Sequence, residues 1–215
     1  MSENNKTVWS EGMFLRPQHF QQFERHLEAL LRRRTQALQG FFWGFSALEI
    51  DRDALALGKV ALAQAAGILP DGTPFEFERA QDAPAALDVH PDARDVRVML
   101  ALPRRRPGAC EVIYEEGQDT LARFEVHEGE IEDSGAVGME AALVQMGRLR
   151  LRLMLETDLG DEWIGVGVAR VIERRADNRV LLDDRYIPPW LEAALQPSLR
   201  TFTSELYGLL EARSE

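Results

Sequence analysis

Arg148-Leu149-Arg150-Leu151-Arg152-Leu153-Met154-Leu155 sets the fold class. Leucine returns at every second position, with arginine or methionine between. A period of two places one set of side chains in a core and the other in water, as in an antiparallel strand with one wet face. The same alternation runs through Val96, Val98, Leu100 and Leu102 up to Pro103, and through Ala122, Phe124 and Val126 between Arg123 and Glu125. It returns in Ile164, Val166 and Val168, with a bulge expected near Ala169-Arg170 before Val171. Upstream, Leu48 and Ile50, Leu55 and Leu57, and Val60 and Leu62 read as short strands. A turn at Pro70-Asp71-Gly72 follows, and Phe75 and Phe77 then alternate with Glu76 and Glu78. Ala80 to Arg94 carries no period and reads as a loop, while Val180-Leu181-Leu182 is a last short strand. Many short strands without intervening long helices predict a mainly β chain, an antiparallel β-sandwich or barrel.

Helices are expected only at the two ends. Pro17 suits a first helical turn, because the N–H it lacks has no partner there in any case. The helix runs to about Leu38 and stops at Gly40. Phe20, Phe23, Leu27, Leu30, Leu31 and Leu38 form one apolar stripe along it, with Arg25 and Arg32 to Arg34 in its second half. The stripe either packs on its own domain or forms a docking surface for another subunit. Phe41, Phe42, Trp43 and Phe45 follow, too many aromatics for a solvated loop; they clamp the helix to the sheet or form a ligand platform. Near the other end, Tyr186-Ile187-Pro188-Pro189 reads as a rigid linker, since its prolines lack donors. Leu195, Leu199, Phe202, Leu206 and Leu209 then follow a short heptad seam, with Pro197 breaking its start or opening a second helix. So short a seam needs a partner helix, from another protomer or from further chain, or else folds back on the sandwich.

The chain has 215 residues and a net charge of −11, which disfavours nucleic acid. The two basic clusters are local, Arg32 to Arg34 on the helix and Arg104 to Arg106 between prolines in an expected exposed loop. A single cysteine, Cys110, excludes an intrachain disulfide and a thiolate zinc site. The N-terminus lacks a signal-peptide pattern and no apolar run is long enough for a membrane span, so the chain reads as cytoplasmic, without direct membrane insertion. His19, His26, His90 and His127 show no metal-ligand spacing, and there is neither a nucleophile elbow nor a phosphate loop. The expectation is therefore no enzyme, no cofactor and no metal.

The N-terminal segment Trp9-Ser10-Glu11-Gly12-Met13-Phe14-Leu15-Arg16-Pro17-Gln18-His19-Phe20 resembles the opening signature of the TssK (VasE/ImpJ) family of type VI secretion baseplate subunits. Gly67-Ile68-Leu69-Pro70-Asp71-Gly72-Thr73-Pro74-Phe75 and Tyr186-Ile187-Pro188-Pro189 extend the resemblance over essentially the whole chain. Family members are considerably longer, so the chain reads as an N-terminal portion. The resemblance implies a β-sandwich like the shoulder domain of phage receptor-binding proteins, with an N-terminal helix and a C-terminal helix that starts a helical-bundle neck. The expected divisions are 1–45 for the docking segment and helix, 46–185 for the sandwich, and 186–215 for the linker and neck. The implied function is a structural adaptor, homotrimeric and cytoplasmic, peripheral to the inner membrane. It would dock on the wedge subunits TssF, TssG and TssE, and reach the membrane-complex subunits TssL and TssM through the absent C-terminal part. Trp9, Met13, Phe14, Leu15, Pro17, Phe20 and Phe23 are the expected partner-binding residues; Leu195, Leu199, Phe202, Leu206 and Leu209 are those expected to oligomerise. The alternative is a β-sandwich that binds carbohydrate or a small molecule at Trp163, Trp43 and nearby acidic residues.

Overall fold

The structure, a computed structural model, describes residues 5–38, 40–79, 82–114, 120–135 and 141–214. Helix α1 (Pro17–Leu38) comes first, followed by strand β1 (Gly44–Ile50), a short helix α2 (Arg52–Ala56), β2 (Lys59–Val60), β3 (Leu62–Ile68) and β4 (Pro74–Phe77). Then come β5 (Leu87–Asp88), β6 (Arg94–Pro103), β7 (Val112–Ile113), β8 (Phe124–Ile131), β9 (Ala142–Leu149) and β10 (Arg152–Leu155). The long β11 (Trp163–Arg174), β12 (Val180–Leu182) and helix α3 (Pro197–Ser214) complete the chain.

Two sheets face each other. One has the order β1-β3-β4 and the other β10-β6-β11-β12, all antiparallel. Phe45, Leu62, Ala65, Phe75 and Phe77 from the first meet Val98, Leu100, Leu102, Val166, Val168 and Val171 from the second. Phe45, Val98, Leu100, Leu102 and Val171 are completely buried, and their burial is the main source of stability. This is the antiparallel sandwich that the leucine alternation predicts. The expected bulge is present in β11, between Gly167 and Ala169.

The deciding octapeptide does something a simple strand would not. Leu149 pairs with Phe124 in a third sheet, β7-β8-β9, whereas Arg152 to Leu155 pair with Ala101 to Val98 of β6. The period of two survives the crossing, and Leu149, Leu151, Leu153 and Leu155 all pack on the one core. The backbone N–H of Arg150 donates to the Arg123 carbonyl at 2.8 Å, fixing the point where the chain changes sheet.

Other expectations need correction. Leu55 and Leu57 do not belong to a strand: Asp51 accepts from the N–H groups of Asp53 and Ala54 and starts α2 there, because a capping aspartate outweighs a two-residue alternation. Leu87–Asp88 pairs with β2 inside the expected loop, whose first two residues, 80 and 81, lie outside the described residues. Arg123 is not on a wet face; it is 2% exposed. The 104–106 cluster lies in a loop with Arg104 and Arg106 exposed, as expected, but its first two arginines are held in place and Arg105 is half-buried. Arg104 donates to the carbonyls of Asp161 and Trp163, and Arg105 is paired with Glu28 and Glu111. The Tyr186-Pro189 segment packs on the sandwich. The Phe45 N–H donates to the Pro189 carbonyl at 2.9 Å, the Leu191 N–H to that of Phe45 at 3.0 Å, and the Trp190 ring lies against Phe45. A Cβ on Gly44 would stand 2.9 Å from the Pro189 oxygen, so the contact requires glycine.

Candidate protein-docking surface

The N-terminal signature folds into a small structure of its own. The N–H of Met13 donates to the Ser10 carbonyl, closing a turn in which Gly12 has φ +78°, a conformation that favours glycine. Before the turn the chain runs back along α1. The buried Thr7 donates its hydroxyl proton to the His19 carbonyl at 3.2 Å, and Gln22 donates to the Asn5 carbonyl at 2.7 Å. The Trp9 ring sits 6.1–6.3 Å from the rings of His19, Phe20 and Phe23. After the turn, Phe14 and Leu15 project outward, 82% and 54% exposed. His19 Nδ1 accepts from the Arg16 N–H at 3.0 Å, closing the helix start as a capping side chain does, and Pro17 opens the first turn.

Helix α1 lies apolar side out. Ala29 is its one buried residue among those described. At roughly 100° per residue, Phe20, Leu27, Leu31 and Leu38 fall on the side of the helix opposite Ala29. They are 52%, 39%, 65% and 88% exposed, and Phe23 and Leu30 beside them are 37% and 40% exposed. The stripe is thus at least a third exposed at each of these positions. The surface brings together all seven residues expected to bind a partner. Trp9 meets Phe20 at a tilt and Phe23 edge-on, Met13 is half-buried, and Phe14, Leu15 and Pro17 are exposed at the helix start.

What holds α1 to the sandwich is largely polar. Arg105, with a side chain 16% exposed, reaches Glu28 of α1 at 2.5 Å and Glu111 at 3.1 Å. Arg32 lies along Gly72, where a Cβ would stand 3.2 Å from its Cγ. Between helix and sandwich is a crevice of about 280 Å³, lined among others by Leu31, Phe42, Ile68, Pro74 and Phe124. Phe42 lines this crevice with Leu31 and Ile68, whereas Phe41 is 79% exposed.

Beneath the crevice the second motif forms a buried polar knot. Arg123 donates to the Pro103 carbonyl and the Thr73 hydroxyl, both at 2.7 Å, and meets Asp71 at 3.0 Å. The Thr73 N–H donates to Asp71 at 3.0 Å. Burial pushes the Asp71 carboxyl up, but the Thr73 donors and the Arg123 charge outweigh it and hold the group below its ordinary value. Sequence reasoning missed Arg123 and Arg105. For Arg123 the signal was Asp71 and Thr73 inside an otherwise apolar turn motif, which need a partner if buried; the partners of Arg105, Glu28 and Glu111, carry no such signal.

At the other end, Pro197 opens α3 and does not interrupt it. Gln196 Oε1 accepts from the N–H groups of Ser198 and Leu199, and Ala193–Leu195 forms a separate 3₁₀ turn. Every residue from 200 to 213 is exposed, so the helix does not fold back on the sandwich. Phe202, Leu206 and Leu209 are 61%, 45% and 67% exposed, Leu195 is 44% exposed, and Leu199 is half-buried.

The carbohydrate reading finds no platform. Trp163 is 8% exposed beneath the Arg152 guanidinium, 5.4 Å from its ring centre, and Trp43 packs on the core. Among the described residues no group of three His, Cys, Asp or Glu side chains is placed to hold a metal ion. Among them, too, no helix is long and apolar enough to cross a membrane.

Comparison with known proteins agrees with this fold. Residues 19–215 match the T6SS_VasE family model, described as bacterial type VI secretion and naming EvfL, ImpJ and VasE. The type VI secretion system baseplate component TssK1 of Pseudomonas aeruginosa (strain PAO1) is 46% identical over the whole of this chain. The chain spans 48% of that relative's length. A crystal structure of TssK superposes with a TM-score of 0.91 at 50% identity, covering 98% of this chain and 48% of the other. A chain of the TssK-TssF-TssG baseplate subcomplex superposes with a TM-score of 0.84 at 28% identity, covering 98% of this chain and 70% of the other. With a family match over most of its length, a fold shared with TssK and its signature motifs in place, the chain belongs to the VasE/ImpJ family of bacterial type VI secretion proteins.

Proposed function

We propose that this chain is the docking half of a structural adaptor in the type VI secretion baseplate. It attaches to wedge subunits of the TssF, TssG and TssE kind through Trp9, Met13, Phe14, Leu15, Pro17, Phe20 and Phe23. The observation that carries this reading is the orientation of α1. A helix that leaves Phe20, Leu27, Leu31 and Leu38 in water keeps a large apolar surface exposed, and such surfaces on soluble proteins mark contact sites. The relatives add support: one is a baseplate component, and another was solved as a TssK-TssF-TssG subcomplex. The chemistry is burial of aromatic anchors within a polar rim, not catalysis, and it needs neither cofactor nor metal.

The same reasoning gives α3 its role. Leu199, Phe202, Leu206 and Leu209, with Leu195 in the 3₁₀ turn before them, supply a seam for a homotrimer, the start of a helical neck. The divisions that go with this are docking segment 1–45, sandwich 46–185 and neck from 186. Contact with the membrane-complex subunits TssL and TssM falls to the part of the family's length that this chain does not span. The protein works in the cytoplasm, held at the inner membrane by the assembly.

The test is co-purification with TssF and TssG, with solution mass read by light scattering. The expected result is a multimer that joins them. Phe14→Asp with Phe20→Asp weakens joining about thirtyfold or more while the far-UV spectrum and the melting midpoint stay unchanged. Undiminished joining by that double variant would remove the N-terminal surface from the interface.

A further inference from the structure

Pro188 and Pro189 mark the link between sandwich and α3, yet the chain is fastened on both sides of them. Before the prolines, the Asp183 N–H donates to the Arg170 carbonyl of β11 at 2.8 Å, and the Tyr186 N–H to the Asp183 carbonyl at 3.0 Å. The Tyr186 side chain is half-buried, and its hydroxyl meets the guanidinium of Arg97, which also donates to Glu156. That hydroxyl sits over Gly167 at the β11 bulge, where a Cβ would run into it. Arg97 and Gly167 belong to the second sheet. After the prolines, Trp190 pairs in parallel with Phe45 of the first sheet and packs on the core. The stretch 186–191 is thus a strap across both sheets, stiffened in the middle by two fixed φ angles.

Beyond the strap the fastening stops. The N–H of Leu191 makes the last backbone hydrogen bond to the sandwich, at Phe45. Among the described residues every later one is local: Leu195 to Glu192, Gln196 to Ala193, Arg200 to Gln196, then α3 itself. Glu192, Ala193, Ala194 and Leu195 are all exposed, and Glu192 is extended with no side-chain capping bond. A stretch with exposed backbone and no buried residue opens locally at little cost.

We infer that the joint between sandwich and α3 lies at residues 192–196 and not at the prolines. The strap moves with the sandwich, and α3 swings where a few backbone torsions absorb the change. The mechanical boundary falls after Leu191, later than the compositional one at 186. Where α3 enters a threefold seam, the joint lets each sandwich turn separately toward its own partner surface. That consequence rests on the self-association proposed above; the joint itself does not.

Spin-label distances test the joint in the full-length protein, with Cys110 and any cysteine beyond this chain changed to serine. One label is placed in β11 by Ile172→Cys, the other on the strap by Ile187→Cys or on α3 by Ser204→Cys, all exposed positions. Dilution with unlabelled protein keeps each distance within one chain. The 172–187 pair is expected to give a narrow distribution, and the 172–204 pair one at least about twice as wide. Equally narrow distributions would overturn the inference, since sandwich and α3 would then be one body. A 172–187 distribution as wide as that of 172–204 would overturn it by placing the joint at the strap. A pair within α3, Thr201→Cys with Ala212→Cys, should stay narrow; a wide one would make fraying of the helix, not a joint, the source of the spread. A monomeric mass in the same samples would overturn the proposed self-association and leave the widths to judge the joint.

Discussion

Leu100 and Leu31 are both leucines in regular secondary structure with apolar neighbours in register. Leu100 is fully buried in β6, whereas Leu31 is 65% exposed on α1. The difference lies in what each element offers the rest of the chain. The sandwich closes on itself: each inward residue of one sheet meets inward residues of the other. Helix α1 meets the sandwich through Glu28 and Arg32 and leaves most of its large apolar side chains in water. One region spends its apolar surface on stability; the other leaves it exposed, where the proposed assembly contact would use it. Substitutions should therefore separate the two cleanly.

The largest separation is expected between two phenylalanines. Phe45 has no exposure and packs edge-on against Phe75 at 5.8 Å. Phe45→Ala should cost about 3–5 kcal/mol, through lost transfer energy and the cavity it leaves. Phe14→Ala, at an 82% exposed position, should change stability by less than about 0.5 kcal/mol. Urea unfolding of the two variants measures both. A comparable loss at Phe14 would mean that the N-terminal turn is core after all, and the comparison would collapse.

Next comes the polar knot, which joins the two regions. Arg123→Met leaves the half-buried Asp71 without its cation and should cost about 2–3 kcal/mol, below the range for a fully buried pair. The knot also carries a pH signature. The Asp71 carboxyl is held below its ordinary value of 3.8, so its contribution is complete above the unfolded value. It is lost as the pH falls through the lower folded value. Thermal melts of the parent should thus lose midpoint below about pH 4. In Asp71→Asn that segment of the acid limb should be flatter. An unchanged limb would mean that the pair is not formed in solution.

How far the sequence discloses this division is best argued from particular residues. The sandwich is legible because alternation reports a face, and within a two-sheet fold one face must be core. Even so, Arg148 to Leu155 changes sheet partway, and nothing in a period of two marks the crossing. Arg123 obeys the alternation as a polar residue yet is buried, because Asp71, Thr73 and the Pro103 carbonyl pair with its two terminal nitrogens across 20 to 52 residues of chain. Leu55 and Leu57 mislead because two positions are too few to outweigh a capping aspartate. For α1 the stripe gives the helix, its bounds and its composition, but an amphipathic pattern does not say on which side the rest of the protein lies. The pairing of Glu28 with Arg105 and the seat of Arg32 on Gly72 answer that. The N-terminal signature narrows the choice through its resemblance, not through its periodicity.

A smaller effect tests how rigidly the two regions are joined. Arg105 holds Glu28 of α1, and Glu111 holds Arg105. Glu28→Gln and Arg105→Met, singly and together, form a double-mutant cycle whose coupling should be about 1 kcal/mol, given the half-exposed Glu28. Hydrogen exchange along α1 should rise in either single variant, while exchange in β6 and β11 stays unchanged. Equal acceleration in the strands would mean that helix and sandwich open as one unit, and the division would be one of exposure rather than of stability.

The smallest effect belongs to α3. Leu206 is 45% exposed and Leu209 67% exposed, on a helix that stands clear of the sandwich. Leu206→Gln should leave the unfolding midpoint of the sandwich within the range of an ordinary surface change, about 0.5 kcal/mol. The same variant should lower the mass seen by light scattering, because a seam two heptads long has little to spare when a leucine is lost from it. Stability and assembly then respond to different residues of one chain. If Leu206→Gln instead lowered the midpoint and left the mass unchanged, α3 would be packed on its own sandwich in solution. Its leucines would then belong with Leu100, and α1 alone would carry the outward apolar surface.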